Sequence, residues 1–437
     1  MSYVRYNLED GIDARFINDD GKLLEPWFFW INSYVAVYLD FITEDEKGVS
    51  YSFDFLTNCG LEAYLEYIKD SRVAHDLDIP NRIATYVQLK NIKDPLHVEE
   101  KQYYLLKLDS LDISRLSPEV SDLYLSVYNY EEKESTLPEL IPLPGMKGIL
   151  YNGTPIPAPQ ISTFPNGKLL LKVNNVGRGN WNEIIVRNKA RVVYDMGTNI
   201  EKKSWNDVKS LADKHKYDSK PTLIISHWDL DHYNVFLFMS NSDRDQFSQL
   251  IVTSTLPSLT PFRMLQELVR NTKVKLSLVD NNPQILTAPV NYIDVKNPQL
   301  KLFACPMKMG VSKSYTNESG LLLDVDDKDK NILLTGDCTY EQANGAVVQS
   351  FATIKADKEH YLVVPHHGGG HKPRYNTPQH CIIKGVIISV DELTEDKTNK
   401  VVRHRYGHPT IEVVHHLIKD HHCILYRTDY MNDDITI

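Results

Sequence analysis

The sequence predicts an α/β fold in two domains, and three observations predict it. Short apolar runs alternate with polar, glycine-bearing loops through the last two thirds of the chain. Several of those runs end at a His or an Asp, the arrangement expected when strands deliver functional groups from their C-terminal ends onto one rim. A proline-rich stretch, Thr136 to Gly145, coincides with a change in charge.

The first third is strongly acidic. Residues 1–150 hold 14 Lys and Arg against 27 Asp and Glu, leaving 34 against 31 for the remainder. A domain of that sign is a poor electrostatic partner for nucleic acid, whereas a mildly basic remainder can concentrate positive charge around one cleft. Within this third, Trp27 to Phe41 reads as buried strand: it is interrupted by Asn32, Ser33 and Asp40 and falls short of the roughly 20 apolar residues a spanning helix needs. Leu61 to Ala74 suits an amphipathic helix, and the alternation at Tyr103 to Leu108 suits strands. Three prolines between residues 136 and 145 disfavour helix and mark an extended connector. The expected domains are therefore an acidic α+β domain over 1–145 and a catalytic domain over 146–437. A single large α/β domain with insertions is the alternative at this length.

Beyond the connector, strands are expected at Leu169 to Val173, Glu183 to Val186, Arg191 to Tyr194, Leu223 to Ile225, Ile332 to Leu334, Tyr361 to Val364 and Val386 to Ser389. With 42% hydrophobic and 24% charged residues and no low-complexity tract, the composition excludes a chain dominated by disorder. The five cysteines are scattered with no pair at two-residue spacing, which argues for buried thiols over a cysteine-built zinc site. The N-terminus lacks the order of a secretion signal, so a cytoplasmic location with no membrane partner is expected.

The chemistry concentrates in a few loops. In Ser226-His227-Trp228-Asp229-Leu230-Asp231-His232, four potential ligands fall within six residues directly after an apolar strand. Alternate side chains can converge on one ion there while the Asp231-His232 pair turns toward a second. The competing reading is a solvated turn whose Asp229 or Asp231 caps the next helix. Ile332 to Asp337 places an acid just past a buried strand, with Gly336 allowing the sharp exit a bridging carboxylate needs; its alternative is a helix cap. Leu362 to His371 repeats the geometry with His366 and His367 followed by glycines. Arg403 to Pro409 holds cations and His408 in what is otherwise a basic surface loop. His415 and His416, on a helix expected to start near Pro409, read as surface or packing residues.

Taken in order, Val176-Gly-Arg-Gly179, Asp195-Met-Gly197, the His227 to His232 run, Asn317-Glu-Ser319, Thr335-Gly-Asp337, His366-His-Gly368, Gly407-His-Pro409 and Thr428-Asp429 resemble the metallo-β-lactamase superfamily. More narrowly they resemble its ComEC-like branch, over residues 165–437. The resemblance implies a four-layer αβ/βα sandwich with a metal site at one edge. It also implies one or two divalent ions held by His227, Asp229, Asp231, His232, Asp337 and His366. Most of the superfamily carries His where this chain has Asp229, and a carboxylate there makes the site harder, so Mn²⁺ becomes as plausible as Zn²⁺. The chain departs from the pattern twice. No histidine lies between His232 and His360, and Asn175 and Asn180 stand where Asp is usual.

The reaction this implies is phosphodiester hydrolysis by metal-activated water, with DNA as substrate. Asp231, His232, Asp337 and His366 would form the stronger site, and His227 and Asp229 a weaker one. Asp231 and Asp337 count as catalytic carboxylates, His367 and His408 as proton donors or, alternatively, as ligands, and Lys372, Arg374, Arg403 and Arg405 as the cations that receive phosphate. A second reading keeps the fold and takes a small phosphodiester, a cyclic nucleotide or a carboxylic ester as substrate. A third is a catalytically silent scaffold that works through protein partners, with the acidic N-terminal domain as its surface.

Overall fold

The structure is a computed structural model. It describes residues 2–6, 8, 15–17, 23–24, 34–69, 83–117, 124–130, 137–143, 145–151, 156–161, 164–199, 205–280, 290–295, 299–305, 317, 319–328, 330–350, 358–369, 375, 381–390, 394–395, 401–402, 408–431 and 434–437. The chain forms two compact units. One comprises residues 1–155 together with 255–271, and the other residues 156–254 with 272–437.

The first unit carries two sheets. Its seven-stranded sheet runs in the order Leu140–Pro142, Gln102–Lys107, Tyr34–Asp45, Gly48–Phe55, Tyr86–Ile92, Tyr124–Asn129, Leu116–Ser117. The strand expected from Trp27 starts, among the described residues, at Tyr34; residues 27–33 lie outside them. The helix expected from Leu61 begins three residues earlier, at Asn58, because the hydroxyl of Thr57 accepts the Gly60 N–H at 2.9 Å and caps it. Residues 70–74 of that expected helix lie outside the described set. Within the proline-rich connector, Leu140–Pro142 pairs at the edge of the sheet, the position where a proline's missing N–H removes no ladder bond.

The same unit takes in the segment 255–271, which the sequence reading had left in the C-terminal domain. Thr255–Leu256 joins the five-stranded sheet beside Met146–Tyr151, and helix Leu259–Asn271 follows with Leu259, Phe262, Met264, Leu265 and Leu268 buried. Asp54, fully out of water, anchors the helix start: its carboxylate accepts the Thr260 N–H and the Thr260 hydroxyl, each at 3.0 Å. Burial pushes the Asp54 carboxyl up to about 6.

The second unit is built on two seven-stranded sheets. The first is ordered Lys275–Val279, Gln249–Thr253, Thr222–Ile224, Lys189–Tyr194, Asn182–Val186, Leu169–Val173, Ile435–Thr436, with its first four strands mutually parallel. The second is ordered Val290–Val295, Gln299–Ala304, Leu321–Asp326, Lys330–Leu334, Lys358–Val363, Cys381–Ile388, Ile424–Arg427, and its last four strands are parallel. Both sheets turn apolar residues into one shared core: Leu171, Ile184, Val192, Ile224 and Ile251 from the first meet Leu302, Leu323, Ile332, Val363 and Ile387 from the second. On the second sheet's other face, Tyr340 and Ala343 from helix Tyr340–Ser350 and Val413 and Leu417 from helix Ile411–His421 pack on Leu362, Val386 and Ile388. Among the described residues no helix is long and apolar enough to cross a membrane.

Candidate metal centre

The parallel strands determine where the polar side chains gather. Strand Lys189–Tyr194 ends at Asp195, Thr222–Ile224 at Ser226 and His227, Lys330–Leu334 at Asp337, Lys358–Val363 at His366 and His367, and Cys381–Ile388 at Ser389. These C-terminal ends carry groups that hydrogen-bond or approach one another across the two sheets.

Two overlapping groups of ligand-type atoms result. His227, His232 and Asp337 form one, and Asp231, His232 and His367 the other, with the atoms of each group within 4.8 Å of one another. His232 Nε2 lies 3.2 Å from Asp337 Oδ1 and 4.0 Å from Asp231 Oδ1. His227 Nε2 lies 3.8 Å from Asp337 Oδ2 and 3.6 Å from Asp229 Oδ2. His367 Nε2 is 3.7 Å from Asp231 Oδ2 and 3.9 Å from Asp337 Oδ1. His227 Nε2, His232 Nε2, His367 Nε2 and Asp337 Oδ1 are all buried without a hydrogen-bond partner. Each such atom costs about 1–3 kcal/mol if left unsatisfied. Gathered in two overlapping groups, such atoms suit a divalent cation, which accepts lone pairs from imidazole and carboxylate alike.

The surrounding residues fix the rings in the orientation a ligand requires. Asp195 Oδ2 accepts the Nδ1 proton of His232 at 2.8 Å, which leaves the lone pair on Nε2. Asp195 is itself held by the Ser226 N–H at 2.6 Å, the Ser226 hydroxyl at 2.8 Å and the Asn180 side-chain amide at 3.0 Å. The carbonyl of Ser389 accepts the Nδ1 proton of His367 at 2.9 Å and aims that ring's Nε2 at Asp231. Gly197 permits close packing here: a Cβ on it would lie 1.9 Å from the Asp231 carbonyl oxygen. Gly336, at φ +51°, turns the chain toward Asp337 in space a Cβ would share with Ser226 Oγ at 2.6 Å.

Neither acid is used as a helix cap. Asp229 occupies the N-cap position of helix Leu230–Leu237, yet its side chain makes no capping bond. Ahead of helix Tyr340–Ser350 it is the Thr339 hydroxyl that accepts the Gln342 N–H, at 3.2 Å.

The adjacent histidines differ in their surroundings. His366 and His367 both have left-handed backbone, φ +51°, and their rings make different contacts. His366, expected as a ligand, turns Nδ1 to Asp337 Oδ2 at 2.5 Å, and the Asn317 amide approaches the same nitrogen at 3.1 Å. His367, expected as a proton donor, joins Asp231 and His232. Its Nδ1 proton is committed to the Ser389 carbonyl, and burial lowers its affinity for a second. His408 stands against the ring of His366, with centroids 4.8 Å apart. Burial, with the positive charges of His366, His367 and Arg178, pushes it down to about 3, which also removes it as a charged proton donor at neutral pH.

Burial opposes charge on Asp337, but His366 and His232 hold its carboxyl well below the usual range. The same attraction raises both histidines against the effect of burial, with Asp195 adding to it at His232. Lys372, Arg374, Arg403 and Arg405, the expected phosphate cations, lie outside the described residues, as does His371. His415 is exposed, and His416 Nε2 accepts the Tyr375 N–H at 3.3 Å, a packing role away from the cluster. Sequence reasoning gave no role to Asp195 or Ser389; the signal for both was their place immediately after a strand.

At Asn180, one of the places where the chain departs from the resembled pattern, the structure shows a local role. Asn180 donates to Asp195, which a carboxylate at 180 could do only if protonated. In the stretch without histidines, Asn317 lies beside His366.

No protein-family profile and no curated protein matches the sequence. Solved structures similar to the chain include Tm1679, a metal-dependent hydrolase of the β-lactamase superfamily, at 9% identity and a TM-score of 0.35 over 62% of this chain and 98% of that one. The short form of human tRNase Z aligns at 10% identity and a TM-score of 0.34, over 62% and 98%. CmlA, a diiron β-hydroxylase from Streptomyces venezuelae, aligns at 12% and 0.34, over 63% of this chain and 54% of its own. Likenesses of this size assign neither family nor activity, so the functional reading rests on the chain's own atoms.

Proposed function

We propose that the chain is a metal-dependent hydrolase of the metallo-β-lactamase type, acting on phosphodiesters, and that its second unit is that family's four-layer sandwich. The observation that carries the reading is the convergence of four buried, unpartnered ligand atoms from His227, His232, Asp337 and His367. His232 has one lone pair left, on Nε2, so it would serve a single ion, either with His227 and Asp337, with Asp229 beside them, or with Asp231 and His367. Mn²⁺ and Zn²⁺ both suit this mixed nitrogen and oxygen set. Divalent ions supply positive charge against developing oxyanions and the acidity that makes water a nucleophile near pH 7.

The protein's own residues contribute order. Asp195 and Ser389 fix the tautomers of His232 and His367, and His366 with Asn317 steadies Asp337. Because the rings are held before substrate arrives, little reorganisation is needed at the moment of reaction. DNA as the substrate, and protein partners for the acidic first unit, follow from the earlier resemblance and from charge; small phosphodiesters remain the alternative.

The test is elemental analysis of chelator-free protein combined with cleavage of bis(p-nitrophenyl) phosphate and of linear and circular DNA, with and without Mn²⁺. Bound metal with chelator-sensitive cleavage supports the reading. Protein that binds no metal under any loading condition refutes it and leaves the scaffold reading.

A further inference from the structure

Ser226 stands between Asp195 and His227, and its polar atoms are all engaged. Its N–H donates to Asp195 Oδ1 at 2.6 Å, and its carbonyl accepts the Leu321 N–H at 2.8 Å. The hydroxyl oxygen lies 2.8 Å from Asp195 Oδ2 and 3.0 Å from His227 Nδ1. Asp195, Ser226, His227 and His232 are each at most 2% exposed, so these groups must satisfy one another.

The hydroxyl has a single proton to give. Asp195, His227 and the neighbouring Tyr194 hydroxyl compete for it, whereas His232 Nδ1, 3.4 Å away, already donates to Asp195. A carboxylate can only accept, and bonds to an ion are roughly twice as strong as neutral ones, so Asp195 takes the proton. The lone pairs left on Ser226 Oγ then face His227 Nδ1, which must carry the proton of that bond. A neutral His227 protonated at Nδ1 keeps its lone pair on Nε2, the buried atom 3.6 Å from Asp229 Oδ2 and 3.8 Å from Asp337 Oδ2. The opposite arrangement would give up the bond to the carboxylate and bury an Nε2 proton without a hydrogen-bond acceptor among the described residues.

We propose that Ser226 is a positioning residue that passes the orienting effect of Asp195 on to His227. One buried carboxylate thereby sets the Nε2 lone pair of both histidines, His232 directly and His227 through the hydroxyl. This role rests on the metal-centre reading and deepens it by saying what prepares His227 as a ligand. It also gives Asp195→Asn a distinct consequence. Because Oδ1 holds the Ser226 N–H, the new amide nitrogen would stand at the Oδ2 position, against Ser226 Oγ and His232 Nδ1. A donor there turns the hydroxyl proton toward His227 Nδ1 and moves the imidazole proton to Nε2, the tautomer error that a carboxylate-to-amide exchange behind a histidine produces.

The experiment is ¹⁵N nuclear magnetic resonance of full-length, histidine-labelled protein, metal-free and Zn²⁺-loaded, with the His227 signals assigned from His227→Gln. Zn²⁺ affinity is measured in parallel by competition with a chelating dye. In wild type the neutral His227 ring should carry its proton on Nδ1 in both states. Ser226→Ala should remove that preference in the metal-free protein and weaken Zn²⁺ binding by about 10- to 100-fold, the usual cost of losing a partner behind a ligand histidine. Ser226→Thr, which keeps the hydroxyl, should restore the Nδ1 proton and most of the affinity, and Asp195→Asn should move the proton to Nε2. A His227 proton on Nε2 in metal-free wild type overturns the proposal without recourse to any variant. An Nδ1 proton that both Ser226→Ala and Asp195→Asn leave in place overturns it equally.

The two measurements separate this role from the broader reading. Wild-type protein that takes up no Zn²⁺ yet shows a Ser226-dependent Nδ1 proton on His227 refutes the metal centre and keeps the role of Ser226. Protein that binds Zn²⁺ stoichiometrically, with the metal-free His227 proton on Nε2, keeps the centre and refutes that role.

Discussion

Asp337→Ala removes the one carboxylate among the described residues that approaches His227, His232, His366 and His367 together, at distances from 2.5 to 3.9 Å. In the wild type, a metal ion at 100 times its dissociation constant stabilises the folded state by about 2.7 kcal/mol if it binds only that state. The unit that holds the cluster spans residues 156–254 and 272–437. For domains near this size each kcal/mol moves the unfolding midpoint by about 2–4 °C, so saturation with Mn²⁺ or Zn²⁺ should raise the midpoint by about 5–10 °C. Differential scanning calorimetry on chelator-stripped protein, with and without metal, reads this directly. Asp337→Ala should reduce the shift to under about 2 °C, since each remaining group has lost its shared acid. A variant that keeps the full wild-type shift would show that the four unpartnered atoms are not a metal centre built on Asp337.

Three further outcomes follow from the same geometry. His367→Ala should lower the bound metal stoichiometry, whereas His366→Ala should retain it; equal losses in elemental analysis would return His366 to the ligand set. Asp195→Asn should weaken metal affinity by about 10- to 100-fold, the usual cost of losing an orienting partner behind a ligand histidine, as measured by competition with a chelating dye. For Asp54, the folded carboxyl at about 6 stands above its ordinary 3.8, so its contribution to stability is complete below pH 3.8 and is lost as pH rises through 6. That interval is worth about 3 kcal/mol, and urea unfolding from pH 4 to 7 should show the fall in wild type but not in Asp54→Asn; a constant difference between the two across that range would contradict it.

Much of the second unit could be read from pattern because short apolar runs there do one thing. They cross the core and stop at the rim, and a polar residue of the candidate cluster follows the stop: Asp195, His227, Asp337 and His366 all come after strands the sequence located to within a few residues. Which of two neighbouring histidines points at the cluster could not be read in this way. That choice depends on the backbone torsions of Pro365–Gly368 and on the Ser389 carbonyl 22 residues away, neither of which leaves a periodic trace. Asn180 read as a degraded acid until its amide was found donating to Asp195. The helix Leu259–Asn271 was invisible as a member of the first unit for a different reason. Its apolar stripe requires a covering surface but does not say which part of the chain provides it.

The placement of residues 255–271 bears on how the polypeptide matures on the ribosome. The first unit's own sequence ends at residue 155, but its last helix and edge strand are not translated until residue 271. At ordinary synthesis rates the intervening stretch takes roughly 6–23 s to appear, during which the early sheets wait with the Asp54 anchor point uncovered. When residue 271 is added, strand Gln249–Thr253 has been made, while its parallel neighbour Lys275–Val279 is still to come. Acquisition of structure therefore cannot proceed strictly from the first unit to the second. For the same reason, removing residues 1–145 would not release an independent enzyme but would leave the apolar stripe of Leu259, Phe262, Leu265 and Leu268 open to aggregation.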